Sequence, residues 1–188
     1  MRLVTLSGCA LAIGGWPRFG YNARGGGGEA TVCPRANGRL GLIFEAAGLR
    51  IPPLNSSTTR ILGLPMPPPL TLRILAERLE GDLDPVSGAV RLWFEARFQF
   101  SVGRLYQAPD LRIATELSTG AANGSRHRAT GRALLAGNPG QLVGVAAVAP
   151  CGEAWLDRML GLPDEALAVL RCRFEAGPPA HGPAPAFS

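Results

Sequence analysis

The sequence predicts an α+β fold made mainly of antiparallel β-sheet, sandwich-like or closing partly into a barrel-like sheet, with two short helices. Three observations carry this. In residues 88–102, GAVRLWFEARFQFSV, the residues Val90, Leu92, Phe94, Ala96, Phe98, Phe100 and Val102 share one parity, and Arg91, Trp93, Glu95, Arg97, Gln99 and Ser101 share the other. Successive strand side chains point to opposite faces, whereas a helix would scatter the phenylalanines around its circumference. Further strand-like segments recur at 70–83, 110–118, 130–135, 141–149 and 164–176, separated by turns rich in Gly, Pro, Asn and Asp. Helix signals are confined to two short stretches, near 55–63 and 152–160.

A chain of 188 residues suits one domain, or two small halves sharing a core, and is long enough to bury an interior. With 46% apolar residues and a mean hydropathy of +0.13, general disorder is excluded. All 19 basic residues are arginine, as a GC-rich genome would produce. Charge is uneven: residues 1–50 hold six Arg against Glu29 and Glu45, while residues 150–188 hold three Arg against five acids. The arginines are singly spaced with few interleaved aromatics, so nucleic acid is not the expected partner.

Along the chain, residues 1–24 form a segment apart in the expected organisation, either a first strand or a short export signal. One Arg precedes an apolar run, and Leu6-Ser7-Gly8-Cys9 resembles the lipobox of bacterial lipoproteins, although the apolar stretch before the Cys is shorter than that pattern wants. The remaining 25–176 reads as a single β-rich domain. The glycine run 25–28 lacks the GK[ST] ending of a phosphate-binding loop and is read as a flexible lead-in to a strand. Residues 39–51 read as a strand kinked near Gly48 and halted at Pro52-Pro53. Asn55 to Thr59 supply N-cap chemistry for a short helical turn, and the prolines of LGLPMPPPL make a stiff connector with a superficial likeness to SH3-binding motifs. Asp82, Asp84, Pro85, Ser87 and Gly88 read as an Asx-Pro turn into the 88–102 strand; their spacing does not suit an EF-hand. Residues 119–128 read as a polar loop. In the second helix Ala154, Trp155, Met159 and Leu160 are expected to face inward. From Gly177 the Pro/Ala/Gly-rich tail is expected to be disordered.

Arg60-Ile-Leu-Gly-Leu-Pro65 recurs as Arg158-Met-Leu-Gly-Leu-Pro163, and at the same offset Leu72-Arg73 matches Leu170-Arg171. This suggests a duplicated β-α-β unit with its two helices in equivalent positions.

Cys9, Cys33, Cys151 and Cys172 have no CxxC spacing and read as free thiols, a Cys151–Cys172 bridge being the alternative. With only His127 and His181 beside them, no metal site and no cofactor is expected. There is no G-x-S-x-G elbow and no H-E-x-x-H, so the reading leans away from an enzyme. Were there catalysis, Tyr106, Asp110, Arg112, Glu116, Arg126, His127 and Arg128 would be the polar cluster to carry it. The expected function is a non-catalytic accessory protein that docks on a larger protein assembly, including one at a membrane surface. No transmembrane helix is expected. The expected binding residues are Arg91, Trp93 and Arg97, with Arg126, His127 and Arg128. The competing expectation is a carrier for an apolar lipid or pigment, with Phe94, Phe98 and Phe100 lining its cavity.

Overall fold

The two longest alternating segments pair with each other, Leu70–Leu83 and Val90–Val102 forming an antiparallel hairpin in a computed structural model that describes residues 1–176. The expectation for the tail from Gly177 falls outside the described residues. In chain order the strands are β1 (Arg2–Thr5), β2 (Cys9–Ile13), β3 (Phe19–Tyr21), β4 (Gly27–Pro34), β5 (Leu40–Phe44), β6 (Thr59–Ile61), β7 (Leu64–Pro65), β8 (Leu70–Leu83) and β9 (Val90–Val102). They continue with β10 (Tyr106–Gln107), β11 (Leu111–Ser118), β12 (Ala121–Asn123), β13 (Arg128–Thr130), β14 (Gly140–Val148) and β15 (Asp164–Glu175), with one helix, α1 (Ala154–Leu160), before the last.

The sheet is antiparallel throughout and closes on itself. Its strands run β1-β4-β5-β8-β9-β11-β14-β15, and β15 returns to β1, so eight strands form a ring. β1 and β2 lie end to end along β15, with Thr5 opposite Cys172 and Ala10 opposite Val169, so the first residues belong to the same sheet as the rest. Beyond β2 the sheet branches away from the ring into β3, β6 and β7. β12 and β13 form a separate two-stranded ribbon where a loop was expected at 119–128, and of the strand expected at 130–135 only Thr130, at the end of β13, and an isolated bridge from Arg132 to Gln141 form.

Local chemistry explains the hairpin. Asp84 accepts hydrogen bonds from the backbone of Val86 (2.9 Å) and from the Ser87 hydroxyl (2.7 Å), as the Asx-turn reading requires. The Ser87 hydroxyl and these backbone donors hold the Asp84 carboxyl below its ordinary pKa. Leu70, Leu72, Ile74 and Ala76 lie opposite the inward residues of β9, but beyond Ala76 the register slips, and Leu79, Gly81 and Leu83 take over that face. The extra residue, Glu77, makes this a β-bulge, which flips the parity of one strand relative to its partner.

The glycine run has a tighter role than a flexible lead-in. Gly27 has φ +121°, and a Cβ there would stand 1.9 Å from the carbonyl oxygen of Leu3. Ring closure between β1 and β4 needs that approach.

The helical expectations are half met. α1 forms, but its buried residue is Leu156, which packs with Phe100 and Ala108, while Trp155 and Met159 are exposed. The turn at 55–58 has the expected side-chain chemistry, Asn55 accepting from the backbone of Ser57 at 2.9 Å, yet it leads into β6 and no helix follows. The first R-x-L-G-L-P is consequently the β6–β7 hairpin and the second is the end of α1, so the repeat does not place two helices in equivalent positions. The remaining helical pieces are 3-10 turns at Ala36–Gly38 and Ala46–Gly48, the latter interrupting the strand expected at 39–51.

Candidate functional site

Alternation along eight ring strands sends one set of side chains to the axis. At one end this interior is filled by a cluster including Leu42, Leu83, Val90 and Leu134. Elsewhere, where residues 49–52 run beside β4 through the Gly27–Arg50 bridge, it opens into a cavity of about 110 Å³. Every ring strand except β5 contributes to its wall, through residues such as Leu3, Gly27, Leu79, Phe94, Leu117, Leu142 and Ala168, with Leu11 of β2 and Tyr21 of β3 beside them.

The wall is almost wholly apolar, and the two hydroxyls in it are already engaged. The Thr5 hydroxyl donates to the carbonyl of Ala23, and the Tyr21 hydroxyl donates to that of Pro52. Burial pushes the Tyr21 hydroxyl above its ordinary pKa. Cys172 faces the cavity as a free thiol, raised to about 12 by burial and then by nearby Cys9, so it is no nucleophile at neutral pH. Cys151 packs instead under α1, away from the ring interior, and all four cysteines are free. Phe94 and Phe98 line the cavity as the carrier reading expects; Phe100 does not, being packed with Leu156 and edge-on to Trp155 at 5.8 Å between centroids.

The residues expected to bind fall into two places. Arg91, Trp93 and Arg97 lie on the outer face of β9. There Arg97 Nε lies 2.6 Å from Glu77 and its Nη1 3.3 Å from Asp110, and Arg91 lies 3.7 Å from Glu116. Trp93 is 43% exposed and donates its indole N–H to Glu95 at 2.6 Å. No helix covers it. Arg126, His127 and Arg128 belong instead to the β12–β13 ribbon, which lies against β14 and whose turn is bonded to the start of β15. Glu165 accepts the backbone N–H groups of Ser125 (2.7 Å), Arg126 (2.9 Å) and His127 (3.2 Å). Those donors, with Arg126 first, hold the Glu165 carboxyl down at about 2. The Arg126 guanidinium pairs with Asp164 at 2.9 Å, and the His127 ring lies 3.1 Å from the carbonyl of Gly14. The loop is thus an anchored cover for the sheet.

The polar cluster considered for catalysis is likewise dispersed. Tyr106 accepts from Trp155, Asp110 receives Arg97 and Gln99, Glu116 faces Arg91, and Arg126 is held by Asp164. Among the described residues no group of three or more His, Cys, Asp or Glu is arranged to hold a metal, and no helix is long and apolar enough to cross a membrane. Sequence reasoning missed the 49–52 segment, which lines the cavity while the Arg50 side chain stays exposed. Compared with family models, curated proteins and solved structures, the chain matches none.

Proposed function

We propose that this protein binds an apolar small molecule inside its ring of strands. The observation that carries the reading is the cavity, whose apolar wall is drawn from seven of the eight ring strands. An ordinary core closes such a space, because voids forfeit dispersion contacts and cost stability. A cavity lined this way stays dry and favours an apolar guest over water. Titration calorimetry of the purified chain with benzene, a guest of the size such a cavity takes, tests the reading. Saturable one-to-one binding supports it, and no binding up to the solubility limit of benzene rejects it.

A second reading is favoured by a separate observation, the exposure of Trp93 between Arg91 and Arg97. Trp and Arg dominate interface hot spots, and such a patch suits an accessory protein docking on a larger protein assembly. A chain that elutes only as an isolated monomer from native extracts counts against this docking role.

A further inference from the structure

We propose that a second site, outside the ring and independent of the cavity reading, binds the phosphate group of a small phosphomonoester. Where the sheet branches through β2, β3 and β6, an open cleft of about 300 Å³ is lined by Gly8, Gly20, Asn22, Ser57, Thr58 and Arg60 among others, and no carboxylate lines it. Three guanidiniums are positioned around it by contacts of their own. Arg60 folds back over the 55–58 turn, its Nη1 donating to the carbonyls of Ser56 (2.7 Å) and Thr59 (3.2 Å). Arg171 of β15 lies against Gly8, which has φ +80°; a Cβ there would stand 3.0 Å from the Arg171 Nη1. Arg24 donates from Nη2 to the hydroxyl of Ser7, the residue before Gly8, at 3.3 Å. Among the described residues none of the three lies within ion-pair distance of a carboxylate. The neutral groups narrow the ligand further. The Ser57 hydroxyl donates to Asn55 (2.7 Å) and the Thr58 hydroxyl to the carbonyl of Pro53 (2.6 Å), so neither proton is free. Asn22 accepts the backbone N–H of Arg24 through Oδ1 at 3.2 Å, which leaves its amide nitrogen as a donor. What the cleft offers is therefore positive charge and N–H donors. A carboxylate has two oxygens and one charge and is satisfied by one guanidinium. A phosphomonoester carries nearly two charges at neutral pH and three strong acceptor oxygens, enough to engage several donors at once.

The test titrates inorganic phosphate and glycerol 3-phosphate into the full chain by calorimetry, at low and constant ionic strength, with Arg60→Gln, Arg171→Gln and Arg112→Gln as variants. Arg112 lies on β11 opposite Arg97, outside the cleft, so its loss changes the net charge equally. All three side chains are exposed, so the variants should fold, and their melting temperatures are the control. The expected result is saturable one-to-one binding of both probes, weakened about tenfold by Arg60→Gln and Arg171→Gln and unchanged by Arg112→Gln. No saturable binding of either probe overturns the assignment. Equal weakening by all three variants also overturns it, because net charge alone then explains the affinity. A last arm sediments the chain with phosphatidylcholine vesicles containing phosphatidate. Binding to these vesicles but to neither soluble probe overturns the small-ligand assignment, a lipid surface then being the partner.

Discussion

Replacing Ala168 with Leu asks whether the ring interior is hollow or filled. Ala168 lies on β15 in the cavity wall and presents only a methyl group. The substitution adds three carbons, at about 0.8 kcal/mol each when removed from water, and costs about 0.5–1 kcal/mol in leucine rotamer freedom. In a hollow interior the net gain is roughly 1.5–2 kcal/mol, which in a chain of this size raises the melting temperature by about 3–8 °C. In a filled interior the same carbons overpack and cost about 1–3 kcal/mol. The two cases differ in sign. Urea unfolding gives the midpoint, and an unchanged slope shows that the exposed surface is the same. Benzene titration of the same sample should show binding weakened or abolished. Destabilisation, or stabilisation with benzene binding intact, would refute the reasoning.

Gly27→Ala should destabilise by about 1–3 kcal/mol from backbone strain alone, and by more where the Cβ forces β4 away from Leu3; a lower urea midpoint checks this. Glu165 has a folded pKa near 2, below its ordinary 4.5, so its contribution is full above about pH 4.5 and fades as pH falls toward 2. Glu165→Gln should therefore be less stable than the parent at pH 7, with the gap closing across that acid window in thermal melts. Trp93→Ala removes a half-exposed ring and one hydrogen bond, so it should shift the melting temperature by no more than about 2–4 °C. Large-scale unfolding in that variant would show that Trp93 belongs to the core.

Local pattern made the strands legible where one face is buried and the other wet. β9 and β11 follow strict alternation, and both ends of each lie within two residues of the expected bounds. β8 was legible as a strand but not in its facing, because the bulge at Glu77 changes parity midway through an otherwise ordinary run of leucines. Ring closure was not legible: it pairs Leu3 with Gly28 and with Phe174, partners brought together only by the whole topology. The cavity was beyond reach for a different reason. A filled interior and a hollow one impose the same alternation, and what separates them is whether a small residue such as Ala168 leaves space that its neighbours do not take. Trp93 was the one anomaly on the wet parity. Its place was decided by which elements lie nearby: α1 covers Phe100 and leaves the outer face of β9 bare.

The repeated R-x-L-G-L-P shows where short-range reading stops. In both copies glycine takes a left-handed conformation, φ +83° at Gly63 and +72° at Gly161, so the local signal is the same. What differs is the residue before it and the chain on either side. Leu62 also takes a positive φ, +52°, giving the two-residue turn that joins β6 to β7. At the second copy Gly161 instead ends α1, its N–H bonding back to Arg158 and that of Leu162 to Asp157. Upstream, Asp157 accepts the backbone N–H groups of Cys151 and Gly152 and so ties down the approach to the helix, while Leu156 buries itself beside Phe100. The first copy has no such anchor; its preceding residues hydrogen-bond to β3, with Gly20 opposite Arg60. Leucine at φ +52° is strained on its own, so the hairpin form exists because the branch sheet holds it. The hexapeptide specifies a reversal of the chain, and the surrounding packing decides whether a strand or a helix is reversed.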